Sequence, residues 1–470
     1  MTTFPIYVAG RFIEGHDLLE VINPYTGRAF ASTWRAGTEH LEESIAAAIA
    51  VTEEMKNMPS YQRSAILQEI AAGIEDNAAE FSEVLAMEAG KPVRYATGEV
   101  LRAMQVFRVA AEECKRLPGE YLSLDWTPAG TGKEGWVKHF PVGPVAAIAP
   151  FNFPLNLAVH KIAPAIATGC PVVLKPATST PLSTLLLARL IDQTDLPKGA
   201  VSILPLDRTT GNLMVTDERF KLLTFTGSPE VGWEMKRKAG KKKVVLELGG
   251  NAGLIITPTA DLQAAVPKAV AGSFAYSGQV CIHTQRIMVH RSVFGAFADA
   301  FTRQTLMLQQ GDPLDPETEI SVMIDQGNAI RVEEWVAEAV AGGAEVLCGG
   351  VRRGTFFEPT VLTGTRNHMK VCALEVFGPV VTLEPYDTFE EAVAIVNHSR
   401  YGLQAGVFTQ NIREMDYAFN HLEVGGVIIN DVPTFRVDHM PYGGVKESGL
   451  GREGVKYAML DMLEPRLLVK

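Results

Sequence analysis

The 470 residues contain few cysteines: Cys114, Cys170, Cys281, Cys348 and Cys372, far apart and with no CxxC pair. That spacing excludes a disulfide framework and the common zinc sites, and it fits a reducing compartment. The ten histidines form no HExxH or related pattern, so no metal is expected. Positive charge is in deficit, with 43 Lys and Arg against 54 Asp and Glu, a net charge of −11. Such a chain repels nucleic-acid phosphates, and no nucleic-acid partner is expected. A long apolar run is also missing. The most apolar window, PVGPVAAIAPFNFPLNLAV, carries four prolines and cannot cross a membrane as one unbroken helix of about 20 residues. The opening MTTFPIYVAG has neither the basic segment nor the apolar core of a signal peptide. The expected location is the cytoplasm.

What is present is a globular composition, 47% hydrophobic and 21% charged, in a chain long enough for two or three domains. The basic run KRKAGKKK reads as a solvated helix end and a loop. The first 35 residues read as a strand hairpin turning at NPYTGR. Three stretches then place apolar residues at helical intervals: EHLEESIAAAIAVTEEM, SYQRSAILQEIAAGIEDNAAEFSEVLAMEAG and YATGEVLRAMQVFRVAAEECKRL. The segment GEYLSLDWTPAGTGKEGWVKHFPVG predicts a projecting β-hairpin. Beyond it, PVAAIAP, CPVVLK, AVSILP, LLTFT and VVLEL alternate with helical patterns, which predicts parallel strands with crossover helices. A second series runs from Asn251 through GLIIT, QRIMVH, AEVLCGG and VVTLEPY. The chain closes on EPRLLVK, a strand that suits pairing with a second copy.

One GxGxxG occurs, GLGREG at Gly449–Gly454. No apolar strand precedes it and too little chain follows to supply a ribose-binding acid, so it is no dinucleotide fingerprint. TFTGSPEVG is better placed. A strand ends at Thr226, Gly227 turns, Ser228 caps and Pro229 opens a helix whose N-terminus would attract a pyrophosphate.

Cys281 lies in SGQVCIHTQR, a small and polar setting unlike that of a core cysteine. A Cys–His hydrolase would need His283 as base, yet His283 is only two residues away and no CGSCW-like context exists. The other reading draws on distant segments. APFNFPL sets Asn152 between prolines, as an oxyanion donor or a turn cap. VVLELGGN ends an apolar strand on Glu247, a carboxylate facing a cleft or pairing with Lys241–Lys243. LEVFGPV sets Glu375 before a turn.

Together these segments identify a resemblance to the aldehyde dehydrogenase superfamily over essentially the whole chain. It is carried, in order, by APFNFPL, VVLKPATSTP, FTGSPEVG, LELGGN, SGQVCI, EVFGPV and PYGGVKESGLGREG. The resemblance implies an α/β fold, with a Rossmann-like cofactor domain (1–117 and 142–248), an α/β catalytic domain (249–438) and a small β oligomerisation unit (118–141 and 455–470). It implies a homodimer or homotetramer. It also implies that Cys281 is the nucleophile, Asn152 the oxyanion donor and Glu247 the general base for thioester hydrolysis. Lys175, Thr178, Gly227, Ser228, Glu375 and Phe377 would hold the cofactor. NAD-selective members often carry Glu where this chain has Thr178, whose hydroxyl neither repels nor strongly holds a 2′-phosphate, so NAD and NADP are both admitted.

At the substrate end, Phe435, Arg436 and His439 of NDVPTFRVDHMPYGG, with Arg102 and His283, are candidates to meet a small hydroxylated or anionic aldehyde. Interdomain salt bridges are the competing roles for the two arginines, and packing for His283. The motif set looks most similar to the lactaldehyde and non-phosphorylating glyceraldehyde-phosphate branch. Two alternatives stay open. One is a coenzyme A-acylating semialdehyde dehydrogenase, although such members commonly lack the glutamate; the other is a catalytically silent protein on the same scaffold.

Overall fold

The five apolar segments beginning at PVAAIAP form the parallel strands Val145–Ile148, Val172–Lys175, Val201–Ile203, Leu222–Thr226 and Lys243–Glu247. This computed structural model describes residues 2–470; Met1, the first residue of the expected cofactor-binding part, lies outside the described residues. From Val145–Ile148 the chain steps outward on one side through Val172–Lys175 to Val201–Ile203. It then crosses back to lay Leu222–Thr226 and Lys243–Glu247 on the other side. That reversal leaves a crevice beyond the carboxyl ends of Val145–Ile148 and Leu222–Thr226, where open α/β sheets bind ligands. Asn152 follows one of these strands, and Gly227 and Ser228 the other.

Helices cover this sheet. Pro154–Thr168 is buried at every position, which suits its run of Leu, Ile, Val and Ala. It ends at Gly169 in the left-handed conformation, φ +82°, where a Cβ would stand 2.6 Å from the Met55 carbonyl oxygen. The first two expected helices are each divided. The break between Ser60–Asp76 and Ala78–Ala89 falls at Asn77, whose Nδ2 donates to the Gly73 carbonyl at 2.8 Å. A side chain competing for a helix carbonyl is a local signal that apolar periodicity does not show.

The second sheet has seven strands in the order Glu345–Cys348, Thr360–Thr363, Val380–Tyr386, Thr284–His290, Ala252–Ile256, Gln404–Phe408 and Gly426–Ile429. Only Glu345–Cys348 runs antiparallel to its neighbour. Three of these, Thr360–Thr363, Gln404–Phe408 and Gly426–Ile429, are absent from the sequence reading. A third sheet pairs Gly119–Ser123 with Glu134–Pro141, and Glu134–Pro141 with the C-terminal Leu463–Val469. Its faces expose Tyr121, Trp136, Leu467 and Leu468. The C-terminal strand therefore pairs within its own chain and keeps one edge open.

The helix Val455–Asp461 differs from its expected grouping. It sends Val455 and Met459 into the core under the first sheet. The rejected glycine motif also joins that sheet, Gly449–Leu450 pairing antiparallel with Leu246–Glu247. Among the described residues, no helix is long and apolar enough to cross a membrane, and no group of three or more His, Cys, Asp or Glu is placed to hold a metal ion.

Candidate active site

Cys281 stands at the end of a tightly built turn. After the helix Leu262–Phe274, the chain passes through Tyr276 at φ +49°, Ser277 at φ +53° and Gly278 at φ +68°. Left-handed non-glycine residues cost about 1–3 kcal/mol each, and they persist only where surrounding contacts over-determine them. Here the Tyr276 hydroxyl donates to the Ala89 carbonyl at 2.9 Å, and Ser277 Oγ to the Ser321 carbonyl at 2.8 Å. Gln279 Oε1 accepts from the Ile324 N–H at 2.9 Å. The turn delivers Cys281 to a cavity of about 490 Å³.

That cavity gathers Asn152, Glu247, Cys281, Glu375, Phe377 and Arg436 from distant parts of the chain, with Gly227 and Ser228 on its wall. Asn152 Nδ2 donates one hydrogen bond to the Gln279 carbonyl at 3.0 Å. Its amide is thereby aimed at the cysteine loop and keeps a second N–H. Gly249 and Gly250 are required by close approach: a Cβ on Gly250 would lie 2.1 Å from the Cys281 carbonyl oxygen. The Gly250 N–H donates to Glu375 Oε1 at 2.8 Å.

Burial sets the protonation of this centre. The Cys281 thiol is pushed up to about 11 by burial, against a partial offset from the Tyr442 hydroxyl 2.9 Å away. It rests as a thiol. Glu247 is raised well above the ordinary carboxyl range by burial, and Glu453 beside it adds to the shift. Among the described residues neither Glu247 oxygen has a hydrogen-bond partner, and Lys243, one of its expected partners, pairs with Glu464 at 2.7 Å. Glu375 is likewise raised, to about 8, by burial.

The neighbouring end is charged. Glu453 bonds Lys161 at 3.2 Å and Arg436 at 3.0 Å. Burial alone would raise the Glu453 carboxyl, yet those two cations bring it down to about 2. The Arg436 guanidinium lies 3.7 Å over the Tyr442 ring, and its Nε has no partner among the described residues. Asp438 takes Arg102 at 2.7 Å and His160 at 2.8 Å, and His160 lies 3.4 Å from Arg436. Three cations, Lys161, Arg436 and Arg102, thus face two carboxylates, Glu453 and Asp438.

Of the other predicted substrate residues, Arg102 reaches the site only through Asp438. Phe435 and His439 are exposed and off the cavity wall. His283 points away into packing, where burial lowers it to about 4. Sequence reading missed Lys161, His160, Tyr442 and Glu453. A His-Lys pair inside an otherwise apolar helix was the available signal for the first two.

Lys175 and Thr178 line a second cavity of about 300 Å³, with Arg208 and Lys238, on the far flank of the helix Pro229–Lys238. Lys175 is mostly buried; among the described residues no carboxylate contacts it, and its ammonium, lowered by burial, donates to the Pro176 carbonyl at 3.4 Å. Ser228 caps that helix without using its side chain. The first cavity meets the helix at its N-terminus, where free backbone N–H groups suit a phosphate, and the second runs along the flank of the same helix.

A profile of the aldehyde dehydrogenase family matches residues 12–468. The chain belongs to that family. It is 43% identical to a 3-sulfolactaldehyde dehydrogenase of Priestia aryabhattai over 468 residues, which covers 99% of this chain and 98% of that one. Aldehyde dehydrogenase 21 of Physcomitrella patens, solved with the reaction product succinate, superposes with a TM-score of 0.99. It is 46% identical, over 100% of this chain and 98% of that one. A glyceraldehyde-3-phosphate dehydrogenase of Methanocaldococcus jannaschii, solved with NADP, superposes with a TM-score of 0.93 at 38% identity, over 97% of this chain and 100% of that one.

Proposed function

We propose that this aldehyde dehydrogenase oxidises a small aldehyde with an anionic or hydroxylated tail to the carboxylic acid, with NAD or NADP as the acceptor. The observation that carries the reading is the convergence of Cys281, Asn152 and Glu247 in one cavity that also holds Arg436. Arg436 on the cavity wall, whose Nε has no partner among the described residues, favours an anionic or hydroxylated tail.

Cys281 Sγ gives up its proton to solvent water and attacks the aldehyde carbon, whose C=O π bond opens onto the oxygen to form a thiohemiacetal. The second Asn152 N–H and the Cys281 backbone N–H receive the oxyanion. Lys175 and Thr178 would hold the adenosine end of the dinucleotide, Ser228 the pyrophosphate, and Glu375 with Phe377 the nicotinamide end. When bound, that cofactor supplies the hydride acceptor. The remaining thioester on Cys281 is cleaved by water. Glu247, as the carboxylate, accepts a proton from that water. A free carboxylic acid leaves and Cys281 is restored.

Glu247, on the cavity wall and without a hydrogen-bond partner among the described residues, favours hydrolysis over transfer to coenzyme A. Lys175, Arg208 and Lys238 are three cations around the second cavity, and its one acidic lining residue, Glu234, is paired with Lys238 at 2.6 Å. This supports NADP beside NAD. We assign the outer sheet, with its exposed Trp136, Leu467 and Leu468, to pairing between copies in a dimer or tetramer.

The test follows reduced-cofactor absorbance with lactaldehyde, glyceraldehyde 3-phosphate, succinic semialdehyde and propanal, each with NAD and NADP. Faster turnover of the anionic or hydroxylated aldehydes, with free acid as product, is expected. A preference for propanal would remove the tail assignment and leave the chemistry. An acyl-CoA product with no free acid would overturn hydrolysis, and no turnover at all would favour the silent scaffold.

A further inference from the structure

Lys91 is fully buried, and its ammonium pairs with the buried Glu99. A buried charge is costly beside an apolar side chain of the same length, so its surroundings matter. The ammonium lies 4.1 Å from the centre of the Phe153 ring and 4.5 Å from that of Tyr276. The two rings meet edge to face at 6.2 Å. Aromatic faces attract a desolvated cation strongly, and here two of them converge on one.

Those rings belong to the two loops that form the reaction centre. Phe153 directly follows Asn152. Tyr276 opens the left-handed turn that ends at Cys281, and its carbonyl accepts from the Gln279 N–H at 3.1 Å. Gln279 in turn accepts from the Asn152 amide. Glu99 completes the arrangement. Its second oxygen accepts from the backbone N–H groups of Leu155 at 3.0 Å and Asn156 at 3.1 Å, in the first turn of the helix that follows Asn152. One loop comes from the first sheet and the other leads into the second. Neither Lys91 nor Glu99 lines the cavity.

We propose that Lys91, held by Glu99, is a positioning residue that pins the Phe153 and Tyr276 rings together and so keeps the Asn152 amide in register with Cys281. It touches neither substrate nor cofactor and acts through Asn152. The inference rests on the assignment of Asn152 and Cys281 given above.

The test is a double-mutant cycle on the full chain, with lactaldehyde and succinic semialdehyde as probes and NADP as acceptor. Lys91→Met and Phe153→Leu are each made alone and together with Asn152→Ala. Lys91→Met is expected to lower kcat about 100-fold, the scale of an ångström-sized misplacement, with NADP affinity changed less than about twofold. In the Asn152→Ala background the same change is expected to cost less than about threefold, because the donor it positions is already gone. Phe153→Leu keeps the buried ion pair and is expected to show a loss of about 5–10-fold, absorbed in the same way. Losses that multiply undiminished in the Asn152→Ala background would overturn the proposal, as would wild-type kcat in Lys91→Met. Should Lys91→Met fail to fold, Phe153→Leu decides by the same two outcomes. Wild-type kcat in Asn152→Ala would instead overturn the assignment of the oxyanion donor itself.

Discussion

Two halves of one cavity treat charge in opposite ways. Around Cys281 the ionisable groups have burial and few partners, so Cys281, Glu247 and Glu375 rest neutral or shifted towards neutral. Around Arg436 the groups are just as buried but have partners, so Glu453 stays ionised between Lys161 and Arg436, and Asp438 is pulled down by His160 and Arg102. Desolvation is shared; the presence of a counter-charge decides the outcome. A carboxylate already paired to two cations makes a poor base, whereas an unpartnered one such as Glu247 is free to exchange a proton with water.

The sharpest break in this comparison is Glu247→Gln. It removes the unpartnered carboxyl and is expected to lower steady-state kcat by about 10²–10⁴-fold, the usual worth of a general base, without weakening cofactor binding. On the charged side, Arg436→Met is expected to raise KM for succinic semialdehyde about 10–100-fold, the scale of one lost charge-assisted hydrogen bond. KM for propanal should change little. Equal effects on both aldehydes would mean that Arg436 serves the architecture and not the tail.

The neutral side has its own signature in pH. A thiol raised to about 11 is protonated at neutral pH and gains thiolate as pH rises. Alkylation of Cys281 by iodoacetamide without cofactor should therefore accelerate about tenfold per unit from about pH 7 to 9. A plateau near pH 8 would show an activated thiol. The smallest effect is expected away from both halves. Thr178→Glu brings a carboxylate to the Lys175 cavity and should weaken NADP about 5–10-fold relative to NAD through repulsion of the 2′-phosphate. An unchanged ratio would place the adenosine ribose elsewhere.

The reaction centre was legible because its residues sit in short local patterns. Asn152 between prolines, Glu247 before two glycines and Cys281 among small residues each break an otherwise apolar or regular stretch. The charged half was far less legible. Arg436, Glu453, Lys161, His160, Asp438 and Arg102 come from four segments, and their pairing is a tertiary fact with no local spacing. His283 shows the converse: it stands two residues from the nucleophile, yet the turn sends it into packing. The strand Thr360–Thr363 and the short Gly426–Ile429 escaped notice because runs of four residues carry little periodicity of their own.

The measurement that reaches the centre of the account is intact mass of Glu247→Gln mixed with succinic semialdehyde and NADP, read alongside the first turnover. A burst of about one reduced cofactor per subunit is expected, with an acyl adduct of matching mass on Cys281 that is lost slowly to water. Steady turnover at the wild-type rate without an adduct, or an adduct on a residue other than Cys281, would contradict it.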